Sequence, residues 1–368
     1  MSLLDKKTLD DALDRGKAVD GEFDGLRYTR LMDDIRQVPK GSVVLDDGRV
    51  IPGYPSIARI QALNPGLAKQ FDGPFWAEEK MDGFNVRIFR YQDGCYALSR
   101  GGFICPFATD RLEDLFDDTV LRDNPDLIAC VEIVGPGNPY LEGHSPQVQD
   151  DVDLFLFDFM VCNEEGFLPQ KERMQLVENY QLQPAEIFGR FEPGDIEAIR
   201  DLIIDLDEQG KEGLVLKPEH AEQRAKYVTG RSNIYDMSVT GEALLDLPPE
   251  YFTNRLLRMG LFMAEHGQQQ DPDRLSELGH AMMQGLFRAV EMSRKEGRVS
   301  NYYRCRFNQK ENARRFIEHI EATGGQRVKV DHELLYEHSG AWILEFERIH
   351  QRMTGKMNQA LQGGRQFD

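Results

Sequence analysis

Apolar and polar positions fall into two textures along the chain. Up to about residue 245, short apolar runs alternate with Gly, Pro and Asp: residues 86–89, 95–98, 128–131, 154–157 and 214–216. Runs of this length, rich in β-branched and aromatic residues and bounded by turn formers, predict strands of an antiparallel, multi-sheet domain. Residues 172–180 and 196–206 carry apolar side chains at helical spacing and supply its helices. After Leu247-Pro248-Pro249 the pattern turns mostly helical, through Leu256, Leu257, Leu261 and Met263, then Leu275, Leu278, Met282, Leu286 and Phe287. Leu335, Trp342, Ile343, Phe346, Ile349 and Met353 read as a continuation of that stripe. An apolar stripe of this kind must be covered, either by packing within a helical domain or by a second copy across a dimer seam.

Composition sharpens the division. The 368 residues carry 44 Lys+Arg against 63 Asp+Glu, a net charge of −19. Residues 245–368 hold 18 basic and 17 acidic side chains, so all of the surplus acid lies before them. A chain this acidic does not coat nucleic acid through bulk charge, although a local basic groove is compatible with it. The length calls for more than one core, which predicts an α+β protein with a small N-terminal region (1–62), a central domain (63–245) and a helical C-terminal domain (246–368). Five scattered cysteines, Cys95, Cys105, Cys130, Cys162 and Cys305, make no C-x-x-C pair and predict neither a disulfide framework nor a zinc site. No apolar run is long enough for a membrane span, and the acidic start lacks the apolar core of a secretory leader, so a cytoplasmic location is expected. His144 and His220 have no metal-ligand spacing and read as surface or hydrogen-bonded side chains.

The candidate chemistry centres on Glu78-Glu79-Lys80-Met81-Asp82-Gly83-Phe84-Asn85-Val86-Arg87. Alone, Lys80-x-Asp82-Gly83 is as well explained by a turn. It is followed in order by Ser99-Arg100-Gly101-Gly102-Phe103, Val131-Glu132-Ile133-Val134-Gly135, Asp153 through Asp158, Glu212-Gly213-Leu214-Val215-Leu216-Lys217 and Lys226-Tyr227-Val228. Strand-borne Lys, Arg, Glu, Phe, Glu and Lys suit a lysine nucleophile that attacks a nucleoside triphosphate. A free lysine amine is almost wholly protonated at neutral pH, and nearby positive charge from a metal or from Lys217 and Lys226 would free it. Glu132 and Glu212 suit a hard divalent cation, Phe157 a purine face and Arg100 ribose or phosphate oxygens. Phe155 shares a face with Phe157 at period two, so either could stack on the base. Asp153 and Asp158 are secondary metal or hydrogen-bond candidates. A basic and aromatic segment, Arg294 to Arg298, Tyr302 to Arg306, Lys310, Arg314 and Arg315, reads either as an RNA grip or as a solvated face.

The motif order resembles the covalent nucleotidyltransferase superfamily of polynucleotide ligases and capping enzymes. More narrowly, Arg100-Gly101-Gly102-Phe103-Ile104-Cys105-Pro106-Phe107, Val134-Gly135-Pro136-Gly137-Asn138-Pro139-Tyr140, Lys226-Tyr227-Val228-Thr229 and Val50-Ile51-Pro52-Gly53-Tyr54-Pro55 resemble the archaeal-type homodimeric ATP-dependent RNA ligases. The resemblance implies an antiparallel ligase-type core in which Lys80 forms a lysyl–AMP phosphoramidate. Glu78 would touch the adenine edge and Phe157 its face. Gly83, Arg100 and Glu132 would serve the ribose and phosphate region, Glu132 and Glu212 a Mg²⁺ (or Mn²⁺) ion, and Lys217 and Lys226 the phosphates. It further implies ATP as nucleotide donor, RNA with 5′-phosphate and 3′-hydroxyl ends as substrate, and a homodimer. Asn85 stands where many DNA ligases and capping enzymes carry Arg, which favours the RNA branch.

Overall fold

A computed structural model describes residues 3–143, 146–219, 224–323 and 327–365; His144 and His220 lie outside them. A four-stranded antiparallel sheet is ordered Asp153–Val161, Leu127–Val134, Phe84–Tyr91, Gly94–Ser99. A five-stranded sheet is ordered Ile187–Phe191, Phe75–Glu79, Gly213–Pro218, Ala225–Val228, Ala58–Arg59, antiparallel except for its last pair. Each strand run expected from the apolar pattern lies within one of these strands. The expected helices are present as Gln170–Asn179 and Ile196–Glu208.

The four-stranded sheet is apolar on both faces because both are covered. On one face Val86, Ile88, Val131 and Leu154 join Phe107 and, from the C-terminal part, Phe307, Phe316, Leu344 and Phe346. On the other, Phe89, Leu98, Ile128 and Met160 meet Phe23, Tyr28, Val43 and Tyr54 from the N-terminal part. Each buried Leu or Phe of such a core contributes about 1.5–3 kcal/mol. The C-terminal part is therefore a wall of the sheet's own core.

That part is less helical than the sequence suggests. Helices Glu250–Glu265, Pro272–Glu296, Lys310–Thr323 and Gln351–Leu361 are joined by a three-stranded sheet, Ser300–Phe307, Ala341–Ile349, Arg327–His338. Leu335, Trp342, Ile343, Phe346 and Ile349 thus sit on strands, and of that stretch only Met353 is helical. The reason is a hairpin: Ser339 and Gly340 both take positive φ, 51° and 79°, and turn the chain back on itself. Apolar side chains on both faces of Ala341–Ile349 hid the two-residue period. Strand Ser300–Phe307 likewise buries Tyr303, Cys305 and Phe307 and turns Tyr302, Arg304 and Arg306 outward.

Candidate active site

Lys80 follows the last residue of strand Phe75–Glu79, with its amide on the Gly213 carbonyl at 2.9 Å. Val215 pairs with Glu78 on one side and Lys226 on the other, so Glu78, Val215 and Lys226 stand abreast on one sheet face, with Lys217 two residues along. The other sheet contributes Asn85, Glu132 and Phe157, and the turn after Ser99 contributes Arg100. One cavity between the sheets is lined by these residues together with Lys80, Tyr54, Ile57 and Met81. The fold has gathered side chains that lie as far apart in the sequence as Tyr54 and Lys226.

Glycine permits the closest approaches. Gly213 takes φ +145°, and a Cβ there would stand 2.1 Å from the Tyr227 carbonyl oxygen. Only glycine lets the strand that starts beside Glu212 lie against Ala225–Val228. Gly83 is outside the cavity lining; a Cβ on it would meet the Ile133 oxygen at 2.5 Å and Glu132 Cγ at 2.7 Å. Its place is behind Glu132.

Lys80 Nζ donates to Glu212 Oε2 at 2.5 Å. Burial pushes this amine down, but Glu212, Glu132 and Asp82 outweigh burial and hold its pKa above the usual lysine value. The sequence argument had positive neighbours depressing it; in the folded protein the acidic neighbours dominate. Burial, opposed by Lys80, raises Glu132 to about 7 and Glu212 to about 8, and Asp82 adds to both shifts. Burial, then the neighbouring Asp236, raises Asp82 as well. Lys226 goes the other way, to about 8, through burial and then the charges of Lys80, Arg59 and Arg100.

Beneath this lies a largely closed charge network. Glu78, 1% exposed, accepts from Lys217 Nζ at 2.6 Å, from Gln170 Nε2 at 2.7 Å and from Arg173. Lys217 Nζ also donates to the Phe157 carbonyl at 2.5 Å, which Arg173 binds at 2.6 Å. Asp158, fully buried, pairs with Arg224, lies 3.6 Å from Lys217 and accepts from Tyr54 Oη at 3.1 Å. Burial, reinforced by Arg173, lowers Lys217 to about 8. Lys217 is thus turned to the cavity floor, and Lys226 is the more open of the two lysines.

A bulge sets the two phenylalanines apart. The pairing with Leu127–Val134 shifts register between Leu156 and Asp158, leaving Phe157 unpaired, and its ring lines the cavity edge-on to Tyr54 (5.5 Å, 86°). Phe155 pairs with Glu132 and packs near Met81 and Val134. Asp153 lies at the strand's far end, bonded to Gln183 at 3.1 Å. Sequence reasoning assigned no chemistry to Tyr54, Arg173 or Arg224. Arg173 sits in a charged helix with no local mark of burial, although Tyr54 belongs to one of the quoted motifs. Arg87, fully buried, donates to the carbonyls of Pro52, Gly41 (2.8 Å) and Ser99 (2.9 Å), clipping the Tyr54 and Arg100 segments together. The basic stretch near the C terminus is largely committed to acids: Arg304–Glu345 at 3.6 Å, Arg306–Asp151 at 3.2 Å, Arg315–Asp24 at 2.7 Å.

Among the described residues no three His, Cys, Asp or Glu side chains stand close enough to enclose a metal, and no helix is long and apolar enough to cross a membrane. Two partly buried carboxylates flanking Lys80 fit a Mg²⁺-like ion, which completes its shell with water and phosphate oxygens. Asn85 Oδ1 is buried on the cavity wall without a hydrogen-bond partner, open to a ligand hydroxyl.

Family models match in two places, one described as RNA ligase over residues 73–228 and one as the ligase Pab1020 C-terminal region over residues 239–364. An uncharacterised protein of Methanocaldococcus jannaschii is 27% identical over 321 residues, 85% of this chain and 81% of that one. A structure from Aquifex aeolicus, provisionally assigned as an ATP-dependent DNA ligase, superposes with TM-score 0.94 at 44% identity, covering 99% of this chain and 100% of that one. An archaeal ATP-dependent RNA ligase superposes with TM-score 0.89 at 26% identity, over 98% and 96%. This chain belongs to the RNA ligase family, a nucleotidyltransferase-type group of ATP-dependent ligases, and is an enzyme of that group.

Proposed function

We propose that the protein joins or circularises RNA by linking a 5′-phosphate to a 3′-hydroxyl, through lysyl–AMP and RNA–adenylate intermediates. The observation that carries this reading is the convergence of Lys80, Arg100, Glu132, Phe157, Lys217 and Lys226 on one cavity, with Glu212 on the Lys80 amine. Phe157 receives the adenine ring on one wall, with Glu78 and Lys217 fixing the floor beneath its edge. Asn85 and Arg100 take ribose and phosphate oxygens. Lys226, the open cation, faces the charge that develops on the triphosphate as pyrophosphate leaves.

Lys80 attacks the α-phosphorus in line, so the chain's task is positioning and charge neutralisation. Glu132 and Glu212 would hold a divalent cation, which would offset phosphate charge and that of the carboxylates that keep Lys80 protonated. Of this chain's own groups, the burial of the amine and the positive charge of Lys226 favour the neutral nucleophile. AMP next passes to the RNA 5′-phosphate, and the 3′-hydroxyl displaces it.

The division 1–62, 63–245 and 246–368 and a cytoplasmic location belong to the same reading. So does a homodimer, supported by exposed apolar side chains on two neighbouring helices: Leu257 at 61% and Phe287 at 60%, with Leu275 and Met283. Sedimentation of the purified chain at twice the monomer mass is the expected result.

A DNA ligase is the second reading, favoured by the assignment of the Aquifex relative. Asn85, five positions after Lys80, speaks against it. Incubation with ATP, Mg²⁺ and either 5′-phosphorylated RNA or a nicked DNA duplex separates the two. RNA joining is expected; nick sealing without RNA joining would reverse the assignment.

A further inference from the structure

A second cavity, about 590 Å³, lies on the other side of the Lys80–Glu212 pair. Asp82 and Glu212 form its near wall, so the ion pair is the partition between it and the nucleotide cavity. Its far wall is made by two helices. Tyr235 and Ser238 come from Gly230–Thr240; His280 and Gln284, one turn apart, come from Pro272–Glu296. Ser238 Oγ donates to Gln284 Oε1 at 3.2 Å and ties the helices together along the trough.

The lining selects among the ends of an RNA. Asp82, Glu212 and Glu277 supply negative charge. Arg231 is the one Lys or Arg among the lining residues; its guanidinium donates to the Glu208 carbonyl at 2.9 Å and lies 3.8 Å from Glu277. Among the lining residues three carboxylates stand against that one partly engaged guanidinium, a balance that disfavours a terminal phosphate. Flat faces from Tyr235 and His280, with amides from Gln149, Gln209 and Gln284, suit an uncharged sugar and base instead.

We propose that this trough holds the 3′-terminal nucleoside of the RNA strand whose hydroxyl completes the joining reaction. This rests on the ligase reading above. In that step the 3′-oxygen bonds to the adenylylated 5′-phosphorus, the bond to AMP breaks, AMP departs with the electron pair, and the hydroxyl proton leaves to solvent through the open trough. The C-terminal helix Pro272–Glu296 becomes a substrate-binding element.

The test uses the full chain and a short oligoribonucleotide with 2-aminopurine as its 3′-terminal nucleotide. Stacking in the trough should quench its fluorescence on binding to the wild type. Ser238→Phe, which fills the trough, should weaken that binding tenfold or more, and Gln284→Ala should weaken it severalfold. Adenylylation by labelled ATP should stay within twofold in both variants, and a 3′-phosphate on the probe should weaken binding to the wild type. Equal quenching in wild type and both variants would overturn the proposal, as would a matching loss of adenylylation in both. Absence of adenylylation in the wild type would instead sink the ligase reading, while the fluorescence still reports on the trough.

Discussion

Lys80 and Lys217 line one cavity from hydrogen-bonded neighbouring segments, yet their surroundings drive the two amines in opposite directions. Around Lys80 stand Glu212, Glu132 and Asp82, and its pKa rises. Around Lys217 burial and two arginines outweigh Glu78 and Asp158, and its pKa falls to about 8. The first cluster sets three carboxylates around one amine, an arrangement that a divalent cation would rebalance. The second is largely closed already, with carboxylates, guanidinia, a carbonyl and a tyrosine hydroxyl paired to one another and Asp158 Oδ1, Arg173 Nε and Arg224 Nε left over. An open, unbalanced cluster suits chemistry, and a closed one suits holding the floor under it.

Breaking the closed cluster should cost stability more than any other single change. Asp158→Asn leaves Arg224 and Lys217 without their shared anion in a buried site, an expected loss of about 3–5 kcal/mol, read by denaturant unfolding. Lys226→Ala, on the open side, should spare stability and slow lysine adenylylation by about 10²-fold, the usual effect of removing one group aimed at developing charge. Single-turnover labelling checks it.

The acids around Lys80 give the open cluster a pH signature. Glu132 and Glu212 have folded pKa values raised to about 7 and about 8, above the usual carboxylate range. They must be ionised to hold a cation, so adenylylation should fall as pH is lowered from 8 to 6, by about tenfold per unit between the two values and about a hundredfold per unit once below both. Because the folded values are raised, their stabilising contribution is present below the unfolded pKa and is lost as pH rises through the folded one. The ligand-free protein should therefore gain stability from this pair over the range in which it loses activity, a gain Glu132→Gln would reduce. Smallest in effect, Phe157→Leu should raise the KM for ATP about fivefold, through about 1 kcal/mol of lost ring stacking, with the rate at saturation little changed.

How much of this was legible in the sequence depended on locality. The strands of the central sheets showed themselves because β-branched and aromatic runs end at turn formers. The order of motifs named the residues that meet in the cavity. The C-terminal hairpin was misread as helix because both faces of Ala341–Ile349 are covered, one against the main core, which erased the alternation; Ser339-Gly340 was the signal available. Arg173 and Arg224 escaped notice because a buried arginine looks like a surface one until its carboxylate partner, here 95 or 66 residues away, is brought to it. The direction of the Lys80 shift was also beyond the sequence, since it depends on which of several near charges lies closest.

The account stands or falls on Lys80 becoming covalently charged with AMP. Intact mass should be measured after incubation with ATP and Mg²⁺, for the wild type and for Lys80→Ala. A gain of one AMP in the wild type and none in the variant is the predicted result. An unmodified wild type, or a variant that still gains AMP, would contradict it.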